Sequence, residues 1–424
     1  MISIALVLIF AVAVIAIPLA TDAREHAKTT AFILIGAYAA RMLLMAIVTW
    51  GDVPLLQAVG GDCDTYEWSA MQVARGWVVH DSIEFTEEGA LAITSASLPI
   101  NTFAVLVYYN DGPCRAACTA LVAGLACLTS YTLYRLAVDL GSDPKFAQRA
   151  LLVQLFMPGY FVYTANMYKD GIAAFFVITV FAAAVRLATR LTLASVAAAV
   201  VSLVALYYTR IYMVVMSMIP LAVAFLGTRS SGFIRRFVVP LTIAVGLGVV
   251  AASGKAVTEF SERMESVYDR ATDANVEAWN AKGGSGVTFD DGGSPFGALG
   301  PKIAYTLLSP FPWMGGSFAL QVGKVDVLIW YYLCYRAVIS GKRLWRDDRG
   351  VLLIILAFVV PATFVYALTM ANVGLIFRQR IPIVLIGTLL AVLGWRKTKP
   401  VETASVASPS LPSPELPRDA AAAE

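Results

Sequence analysis

Apolar runs of membrane-spanning length recur down almost the whole chain, and they restrict it to one architecture. Inside a bilayer such a run has no water to bond its backbone, so it folds as a helix whose N–H and C=O groups satisfy one another. About twenty residues at 1.5 Å each cover the hydrocarbon core. Eleven runs reach or approach that length: 2–20, 31–49, 115–138, 150–166, 172–187, 191–208, 212–227, 237–253, 318–339, 351–371 and 381–395. The chain is 58% hydrophobic and 14% charged, where a soluble domain carries about 25% charged residues. The expected fold is an all-α polytopic membrane protein of about eleven transmembrane helices, one transmembrane domain over 1–399. No basic segment precedes the first run, which is therefore expected to be a retained helix rather than a signal peptide. Leu98–Tyr109 and Ile303–Gly315 are too short to cross and suit interfacial or re-entrant positions. Residues 400–424, rich in Pro, Ala, Ser and Glu, are expected to form a disordered cytoplasmic tail.

The loops orient the chain. Under the eleven-span count, six sets of cations fall on one side: Arg24 and Lys28; Lys145 and Arg149; Arg186 and Arg190; Arg229, Arg235 and Arg236; Lys342, Arg343, Arg346 and Arg349; Arg396, Lys397 and Lys399. Cations concentrate in cytoplasmic loops, so the expected topology has the N-terminus outside the cell membrane and the C-terminus in the cytoplasm. The net charge is only +3 and its cations sit in these loops, which argues against a nucleic-acid partner. The five cysteines form no CxxC, and the only histidines are His26 and His80. A multi-histidine metal site is thereby disfavoured, and no HExxH, P-loop or GxGxxG after a strand occurs.

Two long hydrophilic segments, about 51–114 and 254–317, then face outward. The first is acidic: Asp52, Asp62, Asp64, Glu67, Asp81, Glu84, Glu87 and Glu88 stand against Arg75 before Leu98. Asp64 and Glu67 have capping-box spacing, an N-cap acceptor with an acid at N3. Asp62 precedes that expected helix start and is the better candidate for a free carboxylate base. Tyr66, Trp68 and Trp77 suit either a sugar-stacking role or the interfacial aromatic belt. Cys63 and Cys114 both lie outside, where a disulfide could form. The second segment begins with an expected amphipathic helix, about 256–281, and continues through the Gly-rich GGSGVTFDDGGSP.

A few charges break the positive-inside trend. Lys169 and Asp170 in NMYKDG, Arg210 in YYTRIY, and Arg378 and Arg380 in FRQRIP all fall at the outer boundary. Charge at membrane depth is costly and tends to mark a functional site or a buried pair. Four cations from three separate hairpins at one level can converge on an anion, although single ones also snorkel to headgroups. Arg41, near mid-depth of the second run, either lines a cavity or pairs internally.

This pattern resembles the GT-C superfamily of integral-membrane glycosyltransferases, which use polyprenyl-phosphate-linked sugars. Those proteins carry an essential acid in the first large outer loop, often as Asp-Glu-x-x-Tyr; here the residues read Asp62-Cys63-Asp64-Thr65-Tyr66. The Asp-to-Tyr spacing is kept and the second acid is displaced by one position. LFMPGYFVYTANMYKDG, with Pro158 and Lys169-Asp170, is similar to a proline-to-Lys-acidic pattern in such enzymes, and SPFPW and FRQRIP resemble outer-face elements of some bacterial members. The resemblance is clearest over about 60–190. It implies a GT-C-like fold, Asp62 as catalytic base with Asp64 as helper or capping residue, and Tyr66, Lys169, Asp170, Arg210, Arg378 and Arg380 as substrate-binding residues. The implied partners are a polyprenyl-phosphate-linked sugar, a glycan, lipid or protein acceptor, and membrane lipids. A divalent cation, Mg or Mn, is compatible with the carboxylates but not demanded by them. Two other readings share the outer loops and arginines: a polysaccharide polymerase or ligase using undecaprenyl-pyrophosphate glycans, and a lipid-linked oligosaccharide flippase or transporter. Transporters often show internal repeats, and none is visible here.

Overall fold

The computed structural model describes residues 2–51, 61–83, 97–190, 192–226, 287, 289, 298–315, 318–368 and 373–394. Fifteen helices account for most of them. In chain order they are α1 (Ile2–Thr21), α2 (Arg24–Trp50), α3 (Gly61–His80), α4 (Ser97–Asn110), α5 (Arg115–Asp139), α6 (Pro144–Phe156), α7 (Pro158–Val162), α8 (Lys169–Thr189), α9 (Leu193–Tyr207) and α10 (Ile211–Leu226). They continue with α11 (Leu299–Leu308), α12 (Phe318–Asp347), α13 (Arg349–Leu368), α14 (Val373–Gln379) and α15 (Ile381–Leu393). The protein is all-helical among the described residues, with no strand, and polytopic in composition. Among the described residues, five helices are long and apolar enough to cross a membrane, or six if the α14–α15 pair, bent by 53°, makes one span.

The described residues do not show all eleven expected spans, for local reasons. The runs at 191–208 and 212–227 fold as α9 and α10, of 15 and 16 residues, about 24 Å at most against a hydrocarbon core of about 30 Å. The run at 150–166 is not one helix: it breaks at Met157–Pro158 into α6 and α7. The run at 237–253, the expected amphipathic helix at 256–281 and the tail after 399 lie outside the described residues.

Small side chains decide which helices sit at the centre. On α5, Ala117, Ala120, Ala123, Ala126 and Cys127 are buried, and on α8 so are Ala173, Ala174 and Ala182 to Ala184. Without a hydrophobic drive between helices in lipid, close backbone approach through small residues supplies the packing. About 72% of the apolar window of each is buried, against 11% for α1, whose Ile4, Leu8 and Val12 point outward. Further round the bundle, α12 packs on α15 where Trp330 lies against Gly387. A Cβ at Gly387 would come within 2.7 Å of the indole. Gly387→Val should therefore destabilise by about 1–3 kcal/mol through overpacking, read as a lowered melting temperature in detergent.

The break between α6 and α7 has an unusual resolution. In an unbroken helix the Gly159 N–H would donate to the Leu155 carbonyl, its i−4 partner. Pro158 prevents continuation, and each half of the lost bond is met by a buried ionic side chain from another helix. Arg41 Nη2 of α2 donates to Leu155 O at 2.8 Å, and Gly159 N donates to Asp326 Oδ1 of α12 at 2.8 Å. Arg41 is fully buried, donates also to Thr164 Oγ1 at 2.8 Å and Ala37 O at 3.1 Å, and lies over the Phe161 ring. Of its two expected roles, internal bonding is the one seen. The chain after α7 is thus free to run as the turn at 163–168 before α8 starts at Lys169.

A second, smaller core covers this end of the bundle. Helices α3 and α4 pack on each other and close over the start of α5, burying Tyr66, Trp77, Ile100, Phe103 and Val122 together with Met167 and Tyr168. The described parts of the first hydrophilic segment, 61–83 and 97–114, therefore form a folded cap.

Candidate functional site

Three of the boundary cations gather on Asp170. The carboxylate, the second residue of α8, is 3% exposed. Arg210 Nη2 donates to its Oδ1, and Arg378 Nε stands 3.2 Å from Oδ2. Lys169, the preceding residue, adds a third positive charge against it. Three cations therefore stand around one carboxylate. Each cation arrives by a different element: Lys169 opens α8, Arg210 ends the tight turn between α9 and α10, and Arg378 lies in the last turn of α14.

The surrounding walls are aromatic and braced. The Arg378 guanidinium lies 5.7 Å from the Tyr163 ring and 5.8 Å from the Tyr168 ring, and these two rings meet edge to face at 5.3 Å. Arg210 Nη1 donates to the Tyr212 hydroxyl at 2.9 Å, and Tyr212 abuts Tyr366. The turn carrying Arg210 is held from the cap, where Leu98 N and Ser97 Oγ both donate to Tyr208 O at 3.1 and 3.2 Å. The cap also reaches the site directly: Cys63, in the first turn of α3, is hydrogen-bonded with Tyr168. Asp62 is the adjacent residue, so its backbone stands beside the aromatic wall; its side chain lies outside the described part.

The remaining expected site residues go elsewhere. Arg380 does not join the cluster. It is 1% exposed, 3.7 Å from Asp326 Oδ2 through Nη2, and donates through Nη1 to the carbonyls of Ser309 and Leu307. Its Nη1 thus holds the turn after α11, and its Nη2 faces α12. Asp64 is not an N-cap, because α3 already begins at Gly61; it pairs instead with Arg115 Nη1 at 2.9 Å, and Glu67 meets the same atom at 3.4 Å. By the same token Asp62 sits inside the helix rather than before it. Tyr66 is buried in the core of the cap. Cys63 and Cys114 are not joined in a disulfide. The Cys114 sulfur is 3.7 Å from that of Cys118, and this hydrogen bond pulls the Cys114 thiol below the ordinary thiol range against the effect of burial.

Arg115, Tyr163 and Asp326 were not singled out in the sequence. Arg115 had a visible signal, a cation at the edge of an acidic segment. Asp326 had a weaker one, an acid two residues after Lys324 at the start of an apolar stretch of α12. Among the described residues no three His, Cys, Asp or Glu side chains come together in a way that could hold a metal, and both Asp170 oxygens already face arginine.

The sequence matches no protein-family model and no curated protein.

Proposed function

We propose that this chain is an integral-membrane glycosyltransferase of the GT-C kind, moving a sugar from a polyprenyl-phosphate-linked donor to an acceptor hydroxyl on the outer face of the cell membrane. In this reading the N-terminus lies outside and the C-terminus in the cytoplasm. The observation that carries it is the cluster at Asp170: Lys169, Arg210 and Arg378 converge on one buried carboxylate at the end of apolar helices and against tyrosine rings. Charge gathered at membrane depth marks a functional site, and in this reading the anion it serves is a phosphate joined to a long lipid.

The chemistry follows from that pairing. The acceptor oxygen attacks the anomeric carbon of the donor, and the bond from that carbon to the phosphate oxygen breaks. The departing phosphate takes the electron pair, and cations already in place stabilise the charge as it grows. Asp62, one residue from the thiol that touches Tyr168, takes the hydroxyl proton, a contribution of typically ~10²–10⁴-fold. Asp170 acts by fixing the directions of Arg210 and Arg378, and Arg115 fixes the α3 carboxylates Asp64 and Glu67 near the same end.

The test uses purified protein with a panel of polyprenyl-phosphate sugars. Asp62→Asn should lower transfer about 10²–10⁴-fold while donor binding and melting temperature stay near wild type. Undiminished turnover in that variant rules out Asp62 as the base. The glycan of a null strain separates the neighbouring activities: one missing sugar fits a transferase, whereas shortened chains fit a polymerase.

A further inference from the structure

At the opposite end of the bundle a groove of about 420 Å³ opens between three helices. Its floor is a single stripe of α5, Leu128, Tyr131, Thr132 and Arg135, spaced i, i+3, i+4 and i+7 so that all four share one face. One wall is Ile17 and Thr21 of α1, and the other is Phe175 and Arg186 of α8. Helices α1 and α8 both pack on α5, and the groove is the space left between them. Since α1 has little of its apolar surface buried, the groove borders the region where lipid stands.

The lining is divided along its length. Phe175 and Arg186 are eleven residues apart, about 16 Å along α8. Ile17, Leu128 and Phe175 make the deeper part apolar, while Thr21, Tyr131 and the two arginines make the part near the loops polar. No carboxylate lines it. Two nearby acids, Asp22 and Asp139, pair with the arginines. Asp22 is 2% exposed and accepts from Tyr131 Oη at 2.7 Å and Arg135 Nη1 at 2.8 Å. Asp139 lies 3.7 Å from Arg135 and 3.8 Å from Arg186. Arg186 is about half exposed and has donors to spare.

We propose that this groove binds one anionic phospholipid, with its phosphate between Arg135 and Arg186 and an acyl chain along Ile17, Leu128 and Phe175. Hydrocarbon wets the apolar part, and a guanidinium fork at the headgroup level recognises phosphate bidentately. Basic pockets between transmembrane helices take lipid headgroups in this manner. A net-negative headgroup is favoured because a choline would bring its own cation against Arg186. The inference does not depend on the transferase reading, since the Asp170 cluster lies at the other end of α8.

Native mass spectrometry of the full-length detergent-purified protein tests it. Titration with dioleoyl-phosphatidylglycerol should leave one lipid retained at least about fivefold more tightly than dioleoyl-phosphatidylcholine, the factor expected of one cation near a lipid headgroup. Arg186→Gln should remove that preference, Arg186→Lys should keep most of it, and Leu128→Trp, which fills the apolar half, should weaken both lipids. Equal retention of the two lipids by the wild type, or an unchanged preference in Arg186→Gln, overturns the proposal. Undecaprenyl phosphate outcompeting phosphatidylglycerol in the wild type and not in Arg186→Gln would overturn it too, by assigning the groove to a lipid carrier.

Discussion

Replacing Asp170 with alanine should cost about 3–5 kcal/mol of stability, the penalty of deleting one partner of a buried ion pair. The size follows from what remains. Arg210 is 4% exposed and Arg378 16% exposed, so neither guanidinium can recover its lost partner from bulk water. Lys169 adds a third charge with the same sign. An apolar replacement of the whole pair is a gentler change than the loss of one member. The double variant Asp170→Ala with Arg210→Met should therefore recover a good part of the loss. Denaturation of the reconstituted protein by SDS would measure both. A single-variant loss under about 1 kcal/mol, the ordinary value of a solvent-exposed pair, would mean that water reaches the cluster.

The route from sequence to this site was open at some residues and closed at others. Lys169, Asp170, Arg210 and Arg378 stood out because they broke the positive-inside trend from three separate hairpins, and helices that alternate in direction bring such positions to one end. Arg380 satisfied the same criterion and went elsewhere. Its partner Asp326 is 54 residues earlier in sequence, and nothing in a single chain shows which of two neighbouring arginines an acid on another helix will choose. Asp64 and Glu67 fitted a capping box, but the helix begins three residues sooner at Gly61. The same i, i+3 spacing then puts both acids on one face, where Arg115 meets them. Pro158 was a plainer signal. A proline inside an apolar run removes a donor and crowds the preceding turn, and hydropathy averaged over 150–166 conceals it. The turn at Tyr208–Arg210 was legible too, since Arg210 already parts the runs at 191–208 and 212–227, and α9 and α10 keep close to those bounds.

Asp326→Ala should be the other severe substitution, and the reason lies in the broken helix. Asp326 holds two buried groups together: it accepts the Gly159 N–H at 2.8 Å and faces Arg380 at 3.7 Å. Alanine leaves an arginine that is 1% exposed without its carboxylate, again about 3–5 kcal/mol, and orphans a backbone donor, worth about 1–3 kcal/mol more. Asp326→Asn keeps an oxygen for Gly159 and loses only the charge, so it should cost less. Arg41→Met should cost least of the three. It orphans the Leu155 carbonyl, yet it also takes out a fully buried cation that has no ion-pair carboxylate among the described residues. Adding a Cβ at Gly159 offers an independent check, since it would stand 2.8 Å from the Phe377 ring and 3.1 Å from Asp326 Oδ1. Hydrogen exchange at the Gly159 amide separates these effects from a general loosening. Protection should fall sharply in Asp326→Ala, partly in Asp326→Asn, and little in Arg41→Met, which acts on the other half of the missing bond. If Gly159 stays protected in Asp326→Ala, its donor is satisfied by another group, and the division of one helical hydrogen bond between two ionic side chains is not what holds this connection in place.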